Sequence, residues 1–427
     1  MKKKDKKILY ITLFIAAVCA IAVVGILWYF GIIDLNKFID NDKKDDKKEE
    51  YVPQEVVEGE VFDDFQIHFL ELGNELAGDC TYIKAGDNDI LIDAGSRTNS
   101  IPTIKNYLSD KVLDNKLEYV IATHAHQDHI AGFAGDKTYK SLFLEYEIGT
   151  IIDFSLTNQK SDSPTYAAYI NNRDSILDED TFHYTAKECF KNEGDAKDSY
   201  VLLDKDNKKV TMTILYNEFY FEPSSDENNY SVCTLFTYKD NDHEHNYLLT
   251  GDLEKAGEKA LADYYDGSTL KKTLPHCDLF KAGHHGSPTS SNDVLLSKIT
   301  PDICCVCCCA GKDEYTKNYN NTFPSQAFIN RIAKYTDQVY VTTLWSEELK
   351  KYESMNGNII VSSSLDKTSV ASTNNLIKLK DSAWFNQEIY VEDYVESDSN
   401  GVPNGKLYYG DDLEGKTKVK MRYWPTT

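Results

Sequence analysis

The stretch "EYVIATHAHQDHIAG" (Glu118–Gly132) decides how the rest of this chain is read. Its first half is an apolar run ending in a small polar residue, the form of a buried strand that delivers a loop. Its second half sets His124, His126, Asp128 and His129 within six positions. A His-x-His pair at a strand end puts two imidazoles on one side of the chain. The Asp-His pair that follows turns away and can serve a second ion about 3.5–4 Å from the first. Imidazole and carboxylate together suit Zn²⁺ or Mn²⁺. A lone histidine is most often a surface or satisfied core residue, but that reading does not account for four such side chains on one loop.

Downstream, "NYLLTGDLE" (Asn246–Glu254) is a short apolar strand ending in Thr250-Gly251-Asp252. Gly251 permits a tight turn. Asp252 is either a carboxylate that bridges two ions or the N-cap of the helix that follows. "DLFKAGHHGS" (Asp278–Ser287) repeats the design, with His284 and His285 at the strand exit. Three strand ends carrying His or Asp predict one rim of one sheet. Upstream, "FQIHFLEL" (65–72), "CTYIKA" (80–85) and "DILIDAG" (89–95) read as further strands. Strands alternating with helices predict an α/β fold. The polar, irregular middle, roughly 136–230, reads as a lobe inserted on that scaffold.

The chain has 427 residues, of which 41% are hydrophobic and 12% aromatic, so a packed globular body is expected rather than disorder. Its start differs from the rest. "MKKKDKK" sets five Lys against one Asp, and no residue from Ile8 to Ile33 is charged. A helix of that length spans about 39 Å at ~1.5 Å per residue, enough to cross a membrane with tilt. Trp28, Tyr29 and Phe30 stand at its far end, where an aromatic belt belongs. The run is too long for a cleaved signal peptide. The Lys cluster predicts a cytoplasmic N-terminus and an extracellular body: a single-pass protein of the cell membrane. "DLNKFIDNDKKDDKKEE" then reads as a solvated tether. The predicted organisation is residues 1–33 as Lys cluster and transmembrane anchor, 34–60 as charged tether, 61–369 as the main domain and 370–427 as an aromatic-rich, β-like C-terminal appendage.

The net charge is −23, and the part beyond the basic start is more acidic still. Such a body repels polyanions, and no basic stripe with interleaved aromatics offsets this, so unaided nucleic-acid binding is disfavoured.

Taken together, "HAHQDH", "LLTGD" and "FKAGHHGS", with "LIDAG" upstream, resemble the metallo-β-lactamase fold. More narrowly they resemble its ComEC-type competence-protein branch, as do "IHFLELGNELAGDCTYIKAGDNDILIDAG", "NNYSVCTLFTY" and "MNGNIIVSS". Phosphorylcholine esterase-type members are similar in the same segments. The resemblance implies an αββα sandwich with its site at one edge between the sheets. It matches His124 and His126 to ligands of a first metal, Asp128, His129 and His285 to ligands of a second, and Asp252 to the bridge. It leaves His284 facing the substrate as a contact or proton donor, and gives Asp93 a supporting position behind the His loop. The catalytic expectation rests on Asp128 and His284, with two divalent ions, Zn or Mn, as cofactors.

Two departures stand out. Many members of the fold supply one more His, for which His183, His243 and His245 are candidates. In "NNTFPSQAF" Phe323 stands where a His is expected.

"PDICCVCCCAG" (Pro301–Gly311) concentrates five of the ten cysteines. Read as a strand, it turns Ile303, Cys305, Cys307 and Cys309 to one face and Cys304, Val306, Cys308 and Ala310 to the other. Neighbours on opposite faces cannot share a metal, and free Cys behaves as a small buried hydrophobe. The run is therefore expected to be a core strand.

The resulting expectation is a membrane-anchored extracellular binuclear metallohydrolase, in which a metal-bridging hydroxide cleaves a phosphoester or phosphodiester on a small molecule or cell-envelope polymer. The alternatives are a non-catalytic surface binding or assembly module, and a nuclease- or lactonase-type hydrolase on the same fold.

Overall fold

The computed structural model describes residues 55–425 apart from 74–75, 269–271, 308–317, 320–321, 347–350 and 397–401, with 55–58 and Trp345 described by backbone alone. The anchor, nearly all of the tether, Cys308 and Cys309 lie outside the described residues. No helix among the described residues is long and apolar enough to cross a membrane.

The strands in chain order are β1 (Glu55–Glu58), β2 (Phe65–Phe69), β3 (Thr81–Ala85), β4 (Asn88–Ile92), β5 (Lys116–Ala122), β6 (Glu147–Asp153) and β7 (Phe182–Thr185). Next come β8 (Ser199–Lys205), β9 (Lys208–Ile214), β10 (Thr234–Asp240), β11 (His243–Leu249), β12 (Leu279–Lys281), β13 (Ile303–Val306) and β14 (Gln338–Val341). The last are β15 (Thr343–Ser346), β16 (Lys351–Ser354), β17 (Ile359–Ser364), β18 (Lys367–Ser372), β19 (Glu388–Val395), β20 (Asn404–Tyr408) and β21 (Thr417–Lys420).

Two large sheets form. One runs β1-β18-β17-β2-β3-β4-β5-β6-β7, the other β14-β13-β12-β11-β10-β9-β8. Their alternating side chains divide the core into three layers. Ile83, Ile90, Ile121 and Ile152 of the first sheet meet Tyr247, Leu249, Leu279 and Ile303 of the second in the central layer. Tyr82, Leu91, Val120 and Ile151 face outward onto Ile104, Ile130 and Phe133 of helices Ile101–Leu108 and Gln127–Ala134. Leu248, Phe280, Cys304 and Val306 face the other way, onto Leu261, Leu296 and Ile329 of helices Lys255–Tyr264, Asp293–Ile299 and Gln326–Ile332. Helix, sheet, sheet, helix is the predicted αββα sandwich. It follows because the central strands, such as β4, β12 and β13, are apolar on both faces, so neither sheet is stable with one side in water.

The middle of the chain departs from expectation. Residues 136–230 are not an inserted lobe. They supply β6 and β7 to the first sheet and β8 and β9 to the second. Their polarity falls on the edge strands β7 and β8 and on β9, which buries alternate residues.

The cysteine run behaves as expected where it is described. Cys304 packs in the outer layer, Cys305 and Cys307 in the central one, and all three thiols are buried and free. Burial pushes each thiol up, away from the thiolate a metal would need.

β18 lies astride residue 370 and pairs with both β1 and β17. Beyond it, β20-β19-β21 form a separate small sheet. Trp384, Phe385, Ile389, Val391, Leu407 and Met421 of this region join the outer layer of the second sheet. Buried Arg422 fastens the tail, its Nε donating to the Pro324 carbonyl at 2.8 Å and its guanidinium lying 4.8 Å over the Tyr319 ring. These aromatics pack on the body.

Candidate metal centre

The parallel strands β4, β5 and β6 in one sheet, and β11, β12 and β13 in the other, deliver their C-terminal ends to the edge where the site forms. Asp93 leaves β4, the His loop leaves β5, Asp252 leaves β11 and His284-His285 leave β12. The predicted rim of one sheet is therefore an edge between two sheets. A period-2 pattern tells which residues are strand, not which sheet each strand joins.

Local backbone aims these side chains. Asp93, His284 and His285 hold left-handed φ values of 56°, 47° and 53°, at a cost of about 1–3 kcal/mol each that the packed surroundings offset. Gly251 has φ +55°, and a Cβ there would stand 2.9 Å from both Ser231 Oγ and Thr123 Cβ. Only glycine lets the turn close that tightly. The helix after it is capped by the Glu254 backbone without a side-chain bond, so Asp252 is not a helix cap. Asp252 instead projects into the cluster.

Four groups of side chains come close enough to hold an ion: His124, His129 and Asp252; Asp128, His129 and His285; Asp79, Asp93 and His129; and Asp79, Asp252 and His285. His124 Nδ1 faces Thr123 Oγ1 at 3.1 Å, which leaves its Nε2 beside His126 Nδ1 at 3.0 Å. His129 Nδ1 bonds Asp93 Oδ2 at 2.8 Å and its Nε2 meets Asp252 Oδ2 at 3.1 Å. His285 Nε2 lies 3.5 Å from Asp128 Oδ2 and 3.4 Å from Asp252 Oδ2. Asp93 also accepts from the Thr123 amide and hydroxyl, both at 2.8 Å, so one carboxylate braces the strand end and His129 together. His284 takes a different place. Its Nε2 stands 4.0 Å from Asp252 Oδ2 and its Nδ1 is 3.3 Å from Glu254 Oε1.

The charges are mutually dependent. Burial opposes charge on His129 and His285, yet Asp252 with Asp93, and Asp252 with Asp79, hold the two imidazoles well above their ordinary range. Burial likewise opposes the carboxylate of Asp252, but His129, His285 and His284 hold it well below. His124, buried and beside two other imidazoles, is pushed well below its usual value. The donor set fits divalent ions. Asp252 Oδ1 and His285 Nε2 are buried without a hydrogen-bond partner, and a buried polar atom left unpaired is a ligand in waiting.

His183 and His245 stand apart from this cluster. His183 Nε2 pairs with Asp153 at 2.8 Å on β7. In "DNDHEHN" His243 is exposed, but His245 is buried in β11, between Asp278 at 2.7 Å and the Leu365 carbonyl at 2.6 Å. Phe323 stacks edge-on to His284 with centroids 5.8 Å apart, so an apolar ring occupies the position beside it.

Four charged residues at the site are not among those the motifs single out. Asp79 contacts His285 Nδ1 at 3.2 Å and Lys281 Nζ. Glu227 accepts from the Ala125 amide at 3.2 Å and holds the His loop from behind. Glu254 braces His284. For Lys281 a signal was available, a lysine inside the apolar strand "LFKAG"; Glu227 sits in a polar loop and gave none.

This sandwich, with its candidate ligands at one edge between the sheets, has the metallo-β-lactamase fold, and residues 73–135 match the metallo-beta-lactamase superfamily. The particular relatives are of the competence type, as the motifs imply. Recombination protein 2 of Haemophilus influenzae is 31% identical over 103 residues, 24% of this chain and 11% of the relative. Competence protein ComA of Neisseria gonorrhoeae is 33% identical over 85 residues, 20% of this chain and 10% of the relative. The chain thus spans about a tenth of the length of these curated relatives. Among solved structures, the metallo-beta-lactamase fold protein YhfI from Bacillus subtilis is 14% identical, covering 51% of this chain and 70% of that one at a TM-score of 0.26.

Proposed function

We propose that the chain is a membrane-anchored extracellular metallohydrolase that cleaves a phosphoester or phosphodiester. The observation that carries this reading is Asp252. It belongs to two of the candidate ion groups at once, and its Oδ1 is buried and unpartnered. His124, His126, Asp128, His129, Asp252 and His285 would hold two divalent ions. Ions bound there would supply a fixed positive centre that stabilises the charge developing on equatorial oxygens. His284, 15% exposed beside the cluster and braced by Glu254, is placed to contact the substrate or donate a proton to the leaving group. Burial opposes the Glu254 carboxylate, but His284, Asp226 and Thr289 hold it down at about 2, so it stays ionised as a brace. The acidity of the chain favours short substrates over duplex DNA. The names of the curated relatives favour a second reading, nucleic acid as substrate. The uncharged run Ile8–Ile33 supports the anchor.

The test uses the full-length chain purified in detergent. Metal analysis is paired with turnover of bis-(p-nitrophenyl) phosphate, a chromogenic lactam and duplex DNA. About two ions per chain, with diester turnover abolished by chelation and restored by Zn²⁺ or Mn²⁺, is the expected result. A chain that binds no ion and turns over none of the three is a binding or assembly module.

A further inference from the structure

Beneath the candidate centre lies an ion pair that the proposed reaction does not use. Lys281 is 3% exposed at the end of β12, and Asp79 is 1% exposed just before β3. The Lys281 ammonium contacts Asp79 Oδ2, while Asp79 Oδ1 lies 3.2 Å from His285 Nδ1. No amide or hydroxyl donates to the Asp79 carboxylate, so its partners are the Lys281 ammonium and the His285 imidazole, with His129 Nδ1 farther off at 3.8 Å. The Asp79 backbone is tied to the same site, its amide donating to the Asp128 carbonyl at 3.1 Å and its carbonyl accepting from Gly95 at 2.8 Å. Geometry alone makes Asp79 a possible ion ligand beside Asp252 and His285. The Lys281 ammonium already fills the cation position at that carboxylate. A divalent ion placed there would meet a buried like charge.

We infer that Lys281 is a built-in cation that keeps Asp79 from acting as a ligand and turns it into the positioning residue for His285. Asp79, with the Cys307 carbonyl also 3.2 Å away, draws the Nδ1–H of His285 toward the protein. Nε2 is thereby aimed at Asp128 and Asp252, where the second ion is placed. Partners of this kind fix the tautomer and ring orientation of a ligating histidine. The inference rests on the metallohydrolase reading for its consequence, but the ring orientation it asserts exists with or without metal.

The test compares wild type, Lys281→Met and the double variant Asp79→Leu/Lys281→Met, all full-length. The single variant strands a buried carboxylate and is expected to lose thermal stability. The double variant removes both charges and keeps the fold measurable, because a buried ion pair replaced by apolar residues of similar size is often neutral. Long-range ¹H–¹⁵N NMR on the metal-free chains reads His285 directly. Wild type should show a protected Nδ1–H, and the double variant, left with the Cys307 carbonyl as its acceptor, a shifted and less protected one. Competitive titration with a chromophoric chelator should show the first Zn²⁺ equivalent unchanged and the second weakened about 10–100-fold. A double variant with an unaltered His285 signal and two unaltered binding steps overturns the inference. A wild type that shows the Nδ1–H signal but takes up no Zn²⁺ overturns the metallohydrolase reading and supports the positioning.

Discussion

Two runs of this chain are dense in side chains that bind metals, and the fold treats them differently. His124–His129 lies at a strand exit, where the backbone turns into helix Gln127–Ala134 and successive side chains swing toward one point. Ile303–Cys307 lies within and at the end of β13, where they alternate between two apolar layers. Ligand density therefore says little by itself. A ligand set needs backbone that changes direction, and a regular strand separates its neighbours by construction. Convergence also needs a second contributor, and Asp252 and His285 arrive from the other sheet. The described cysteine side chains lie in apolar layers, while the Cys307 carbonyl reaches His285 Nδ1 at 3.2 Å.

The largest effect that would break this comparison is at Asp252. Losing even an outer partner of a ligand weakens metal binding ~10–100-fold, so Asp252→Ala should lower metal content and diester turnover by more than about 100-fold. Full metal and normal turnover in that variant would dissolve the site. The His-His pair sharpens the contrast within the rim. His284→Ala should keep both ions yet slow turnover by about 10²–10⁴-fold if it donates the proton, whereas His285→Ala should empty the second position and regain activity with added metal. Metal analysis beside kcat separates the two, and the opposite pattern reverses their roles. On the strand side, Cys305→Ser should cost about 1–3 kcal/mol by burying an unassured hydroxyl, with metal content unchanged. A lost ion equivalent there would make the cysteine strand part of a site.

The smallest effect concerns His245, a histidine inside a strand rather than at its exit. Burial opposes its charge, but Asp278 and the Leu365 carbonyl raise its affinity for a proton above the unfolded value. A raised histidine stabilises the fold fully below its unfolded pKa of about 6.5, and that contribution fades as pH rises through the folded value. The difference in Tm between wild type and His245→Gln should be greatest near pH 6 and shrink toward pH 9, with metal content unaltered. A pH-independent difference would show that His245 is neutral in the fold.

Much of this was legible in the amino-acid order alone. The strands around "LIDAG", "EYVIAT", "YLLTGD" and "LFKAG", the candidate ligands at their exits and the burial of Cys304, Cys305 and Cys307 all follow from local pattern, because alternation and strand-end polarity are properties of a few adjacent residues. The class of fold followed from the motifs in combination. Tertiary structure decided what no window of sequence contains. It divided the strand exits between two sheets, drew the middle of the chain into both of them, and buried His245 against Asp278 rather than bringing it to the site. It also brought Asp79, 202 positions from Lys281 in the chain, into contact with it beneath His285. Such pairings depend on which strand lies beside which, and that is set by burying apolar faces across the whole sandwich, a sum over distant residues rather than a property of any one of them.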